Sequence, residues 1–195
     1  HKVAQPININ PTNMRTKMKI LAFAASSSRN SINKQLVTYA AGLLKKQMTD
    51  AELEILDINE YEMPLFSEDR EQELGQPDAA KRFFNKIGAA DALLISFAEH
   101  NGSYTAAYKN LYDWTSRIDP KVYQGKPMVL LATSPGPGGA GSVLATAKTS
   151  APFGGGDVKA ALSLASFYEV FDTEAQELTD VEARVRVEEA LSELV

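Results

Sequence analysis

Three short stretches of the chain hold the residue types that bind and react: Ser26-Ser27-Ser28-Arg29-Asn30-Ser31-Ile32-Asn33, Glu99-His100-Asn101-Gly102-Ser103-Tyr104 and Ser134-Pro135-Gly136-Pro137-Gly138-Gly139-Ala140-Gly141. In the first, hydroxyls, an amide and one cation crowd the start of a helical stripe formed by Ile32, Leu36, Ala40, Leu43 and Leu44. The unpaired N–H groups and positive dipole end of such a helix favour an anion. No Gly-x-x-x-x-Gly-Lys-Ser/Thr stands here, so a monophosphate suits the stretch better than a triphosphate with magnesium. The plainer alternative is that Ser31 caps the helix and the other serines fill a turn. In the second stretch, Asn101-Gly102 permits left-handed backbone, and the glycine lets a planar ligand approach main-chain N–H and C=O groups. His100 invites a general-base role, but no Gly-x-Ser-x-Gly elbow supplies a nucleophile for a triad, so packing or hydrogen bonding is the better reading. The third stretch contains a literal Gly-x-Gly-x-x-Gly at Gly136, Gly138 and Gly141. It lacks the context of a dinucleotide fingerprint, which belongs to the first strand-to-helix turn with an acid ending a strand about 20 residues on. A glycine loop against a flat ligand fits better.

Composition removes other chemistries. The 195 residues include no cysteine and two histidines, which excludes disulfides, thiolate sites, cysteine nucleophiles and a histidine-based metal centre. Twenty basic against 25 acidic residues give a net charge of −5, and the densest charged run, residues 68–73, is mostly acidic. A nucleic-acid or anionic-membrane partner is therefore not expected. No window is long and apolar enough for a membrane span. Residues 1–17 lack hydrophobic periodicity and the apolar core of a signal peptide, and are read as an expression remnant, disordered or extended. Three of the 20 basic residues and none of the acidic ones lie there, so residues 18–195 carry −8. They are read as one domain.

What positions the three stretches is an alternation of short buried runs with longer amphipathic segments, the pattern of βαβ units around a parallel sheet. Strands are expected at 19–25, 52–58, 92–97, 128–133 and within 158–167. Helices are expected after Ser31, from a cap at Asp78 to Ala90, through Ala107, Leu111, Trp114 and Ile118, after the glycine-rich turn as far as Pro152, and within 180–194. The fold is α/β, a doubly wound three-layer sandwich, in which ligands lie beyond the carboxyl ends of the strands. Tyr104, Tyr108, Tyr112 and Trp114 crowd one helix and read as core or interface filling. Residues 59–77 form a long acidic loop whose Tyr61, Met63, Leu65 and Phe66 would expose an apolar patch if free.

A monophosphate cradle, a ring approached by backbone and a glycine-lined face on one rim have the anatomy of an FMN site. The chain resembles the NADPH-dependent FMN reductase family, of flavodoxin-like fold. Ser27, Arg29, Ser31, Asn33 and Leu36 answer to its phosphate loop, Gly-Ser-x-Arg-x-x-Ser-x-Asn-x-x-Leu, with Ser26 in place of the glycine and one residue fewer between Arg29 and Ser31. Residues 98–103 and 108–114 are similar to its Pro-Glu-Tyr-Asn-Gly-Ser and Leu-Lys-Asn-x-x-Asp-Trp signatures, with His100 for tyrosine. Ser134, Gly136 and Gly139 correspond to a Ser-x-Gly-x-x-Gly-like loop. The resemblance implies a five-stranded parallel sheet of order 2-1-3-4-5, bound FMN, NADPH or NADH as donor, and a cytoplasmic homodimer or homotetramer. It implies that Ser26, Ser27, Ser31 and Asn33 hold the phosphate, with Arg29 adding charge. Glu99, His100, Asn101, Gly102 and Ser103 would present main-chain groups to the ring edge, and Ser134, Gly136, Gly138 and Gly139 would cover its pyrimidine end. No catalytic side chain is expected, since the flavin carries the chemistry. The implied activity is ping-pong electron transfer to a flavin, quinone or similar small acceptor. The alternatives are a flavodoxin-like electron carrier without its own NAD(P)H turnover and a relative that has lost its flavin. A subunit contact is expected at loop 59–77 or at the aromatic side of the 105–117 helix.

Overall fold

A computed structural model describes residues 17–195. The expectation for residues 1–17 therefore lies, Lys17 apart, outside the described residues. Five strands, β1 (Lys19–Ala25), β2 (Glu52–Leu56), β3 (Ala92–Phe97), β4 (Pro127–Thr133) and β5 (Asp157–Leu164), form one parallel sheet in the order β2-β1-β3-β4-β5. β1 and β3 are apolar almost throughout because helices cover both faces of the sheet. Alternate side chains of β1 accordingly enter different cores: Leu21, Phe23 and Ala25 join one, Ile20, Ala22 and Ala24 the other.

Helices α1 (Ile32–Gln47) and α7 (Val181–Ser192) supply the second core, where Leu36, Val37, Ala40 and Leu44 meet Val187 and Leu191. On the opposite face lie α3 (Asp78–Ala89), α4 (Ala106–Ser116) and α5 (Gly141–Ser150), which bury Phe83, Ile87, Tyr108, Leu111, Val143 and Leu144. Asp78 is the first residue of α3 rather than its cap, a place taken by Pro77 without a side-chain bond. The acid still favours the helix through its charge in the first turn.

Loop 59–77 departs from expectation. It contains a helix, α2 (Glu68–Leu74), and folds onto its own chain. Asn110 of α4 accepts from the Phe66 N–H at 2.8 Å and donates to the Met63 and Pro64 carbonyls at 3.2 and 3.1 Å. Trp114 Nε1 donates to the Pro64 carbonyl at 2.7 Å, and the Phe66 and Trp114 rings meet edge to face. Arg117 grips Glu71 with two bonds of 2.8 Å. Tyr61 is buried against Phe83. The patch expected of a free loop is thus covered from within, and only Leu65 of its four residues is exposed. Two further elements stood in no sequence expectation: a single turn, α6 (Phe167–Val170), and a hairpin of β6 (Phe171–Asp172) with β7 (Glu177–Leu178).

Candidate functional site

The carboxyl ends of β1, β3 and β4 open onto one cleft of about 270 Å³. Its floor is made from the end of α1. Ser31 is 8 % exposed and caps that helix, its Oγ accepting from the Lys34 N–H at 3.2 Å, so its own proton remains available to a ligand. Ser26 Oγ accepts from the Ser28 N–H and shapes the turn above. Ser28 and Asn30 complete this wall. Hydroxyls thus stand beside the first turn of a 16-residue helix, the end of a helix that favours negative charge.

Asn33 lines the cleft and also closes a network behind it. It is 2 % exposed; its Oδ1 accepts from Ser96 Oγ at 2.7 Å and from the Thr133 N–H at 3.1 Å, while its Nδ2 donates to the Thr133 carbonyl at 3.1 Å. The amide expected at the phosphate thus also ties α1, β3 and β4 together. Ser27 turns toward a neighbouring hollow, where its carbonyl accepts from Asn59 Nδ2 at 3.1 Å. Arg29 is exposed and lies outside the cleft lining.

The second wall is the turn after β3. Asn101 and Gly102 have φ of 54° and 77°, the left-handed backbone of tight two-residue turns. His100 and Ser103 close on each other, N–H to C=O, at 3.0 and 3.2 Å. Those main-chain groups are therefore spent on each other; Asn101 and Gly102, exposed at the tip of the turn, stand beyond the residues that line the cleft. The His100 side chain lines the cleft. Glu99 sends its carboxylate to the Val143 N–H at 2.8 Å, in the first turn of α5. Behind this turn stands an uncharged aromatic layer: Tyr104 packs on Phe97 and Tyr108, and the Tyr108 and Tyr123 hydroxyls meet at 2.5 Å. Burial pushes both of those phenols well above their ordinary pKa.

The third wall begins at Thr133, Ser134 and Pro135. Beyond them the glycines divide by role. Gly136 and Gly138 have open space where a Cβ would stand. Gly139, at φ +60°, would bring a Cβ to 2.4 Å from Ser163 Oγ and 3.1 Å from the Ala165 nitrogen. It serves the close packing of β5, and its carbonyl accepts from Ser163 Oγ at 2.6 Å. Tyr168, 61 % exposed, completes the rim. The sequence signatures passed over Ser28, Asn30 and Tyr168; the first two stand in the same polar turn, while Tyr168 lies past every motif.

The fold is thus the doubly wound class, with a polar cleft at the carboxyl edge of its central strands, where such sheets bind ligands. The sequence profile of NADPH-dependent FMN reductases matches residues 18–168, and the chain belongs to that family. An NAD(P)H-dependent FMN reductase of Pseudomonas aeruginosa is 37% identical over 123 residues, 63% of each chain. A 2-hydroxy-1,4-benzoquinone reductase of a Burkholderia species is 36% identical over 120 residues, 61% of this chain and 62% of that one. The matched segments thus span less than two thirds of these relatives. Among solved structures, the flavoenzyme NAD(P)H:(acceptor) oxidoreductase FerB of Paracoccus denitrificans superposes with a TM-score of 0.71 at 23% identity, covering 90% of this chain and 93% of that one. At that identity the likeness supports the fold alone.

Proposed function

We propose that the chain is an FMN-dependent oxidoreductase that passes electrons from NADPH or NADH to a quinone, a flavin or a similar small acceptor. The observation that carries this reading is the convergence of three turns on one cleft, each supplying a different need of a phosphorylated planar group. Ser31 and Ser26 would hold the phosphate, with Ser28 and Asn30 beside them. The positive end of α1 offsets its charge without committing a buried cation. The peptide groups of Asn101 and Gly102 would meet the polar edge of the ring, and Ser134, Gly136 and Gly138 would cover one end of it. FMN, when bound, supplies the two-electron chemistry that links a nicotinamide to the acceptor. The chain's own residues bind, orient and exclude water, with Tyr104 and Tyr108 as neutral packing behind the ring turn.

Because donor and acceptor would use one open cleft in turn, this reading implies ping-pong kinetics. It also implies the cytoplasm, where reduced pyridine nucleotide is made, and a homodimer or homotetramer. The test is the visible absorption of the purified chain with FMN, before and after anaerobic NADPH, followed by NADPH oxidation with a quinone. A flavin that binds, bleaches with NADPH and is reoxidised by the quinone supports the proposal. Bound flavin that NADPH leaves unchanged, while a separate reductase bleaches it, would make the chain an electron carrier instead. Initial-rate lines that intersect rather than run parallel would count against the kinetic scheme.

A further inference from the structure

We propose that Glu99 is a positioning residue, a carboxylate strut that sets the spacing between the Asn-Gly turn and the glycine-rich turn, and thereby the affinity of the cleft for its cofactor. This rests on the flavin reading above. The observation behind it is that α5 starts without a cap of its own: Ala140, at φ 58°, precedes the helix and offers no side-chain hydrogen bond. Its Val143 N–H is satisfied from another loop, by Glu99 Oε1 at 2.8 Å and 44 residues away in sequence. A serine or aspartate at position 140 is the ordinary way to satisfy such a donor. Drawing the acceptor from position 99 adds something a local cap cannot, a fixed distance between two walls of the site.

The glycine-rich turn needs this strut on one side only. On the β5 side it is already stitched down by three bonds: Ser166 N–H to the Gly136 carbonyl at 2.9 Å, Phe167 N–H to the Ser134 carbonyl at 3.0 Å, and Ser163 Oγ to the Gly139 carbonyl at 2.6 Å. On the β3 side, Glu99 supplies the bond from the ring turn into the start of α5. Four glycines between positions 136 and 141 leave this backbone little intrinsic stiffness. A charge-assisted bond into the positive end of a helix is among the stronger ties a single side chain can make. Glu99 also lines the cleft, so a movement of the strut is felt directly at the ligand.

The experiment compares the wild-type chain with Glu99→Ala and Glu99→Gln by two independent readings. Hydrogen exchange at the Val143 amide of the flavin-free protein reports the strut itself. FMN titration, followed by absorbance and by visible circular dichroism of the bound flavin, reports its consequence. Glu99→Ala is expected to deprotect Val143 and to weaken FMN binding by about tenfold or more, the scale of one lost charge-assisted bond. Glu99→Gln, which can still accept from Val143, is expected to restore both readings to within about threefold, since a neutral acceptor keeps roughly half the bond strength. Unchanged FMN affinity and dichroism in Glu99→Ala with Val143 deprotected would overturn the proposal, as would a Glu99→Gln protein no better than Glu99→Ala. Should Glu99→Ala be insoluble, Glu99→Asp keeps the charge but falls one methylene short, and must show the same two losses. A wild-type chain that takes up no FMN overturns the flavin reading and this role with it, and is told apart from failure of the strut alone by the Val143 exchange.

Discussion

The amide of Asn33 closes three hydrogen bonds at the point where α1, β3 and β4 meet, in a position only 2 % exposed. Asn33→Ala would leave Ser96 Oγ and both peptide groups of Thr133 without those partners. The loss of stability should be about 2–4 kcal/mol, read from the midpoint of urea unfolding. A cost within a few tenths of a kcal/mol would mean that the network is not closed as described. Ser31 differs because its hydroxyl both caps α1 and faces the cleft. Ser31→Glu would set a carboxylate against a bound phosphate, and FMN affinity should fall by about 100-fold or more, since like charges would share a partly desolvated pocket. Retained affinity in a folded variant would remove the phosphate from this turn. The residue types at both positions were readable in the sequence, but their division of labour was not. An asparagine beside serines at a helix start reads as one more phosphate donor, and nothing near it in sequence announces its bonds to Ser96 and Thr133, 63 and 100 residues away. Gly139 was opaque for the same reason, because its demand for no side chain comes from Ser163 on β5, 24 residues away.

At the scale of elements, β1, β3 and β4 were legible because burial on both faces leaves continuous apolar runs, the edge strand β2 because Leu53, Ile55 and Leu56 alternate with acids, and α1 because Ser31 and a stripe of leucines mark its start and its buried face. Helix α2 was not. None of its seven residues is buried, so no periodicity announces it; a cap from Ser67 and the Glu71–Arg117 pair, 46 residues apart, hold it in place. The hairpin of β6 and β7 has two residues per strand, too few for an alternation to show. Asn110 is the hinge pin of the loop that carries α2. Asn110→Ala should cost about 1–3 kcal/mol for the three bonds it makes. More tellingly, it should raise the rate of limited proteolysis between residues 62 and 75 while cleavage elsewhere stays unchanged; an unaltered digestion pattern would show that Trp114 and Arg117 suffice. The tyrosine layer on the neighbouring face makes a separate prediction about pH. Burial raises the phenol pKa of Tyr108 and Tyr123 in the folded chain, so their contribution to stability is complete below about pH 10, the value for a free phenol. It is lost as pH rises beyond that, because the unfolded chain then binds fewer protons than the folded one. Ultraviolet titration should show these two phenols ionising together with the loss of far-ultraviolet circular dichroism, not before it.

The whole molecule carries a formal charge of −5, which opposes self-association at low ionic strength, yet one face invites it. Phe153 stands 79 % exposed beside a hollow of about 230 Å³ walled by Tyr104, Tyr108 and Tyr112, with Lys109 and Asp113 at its edge. A projecting phenyl next to an aromatic hollow on the same surface is self-complementary under a two-fold axis, since each copy offers the other both parts. Loop 59–77, the other place in which the sequence suggested a contact, offers less apolar surface: α3 and α4 already cover Tyr61, Met63 and Phe66, which leaves Leu65, 67 % exposed, and Leu74, 52 % exposed. We therefore expect association through the face of α4 and α5. Sedimentation equilibrium at micromolar concentration should give at least twice the 21.2 kDa of the chain, and moderate salt should strengthen the association by screening the net charge. Phe153→Asp places a charge at the centre of that contact and should shift the mass toward 21.2 kDa without lowering the urea midpoint of the subunit itself, because an exposed side chain contributes little to its own fold. A wild-type mass of one chain, or a Phe153→Asp variant that associates as well as the wild type, would move the contact off this face.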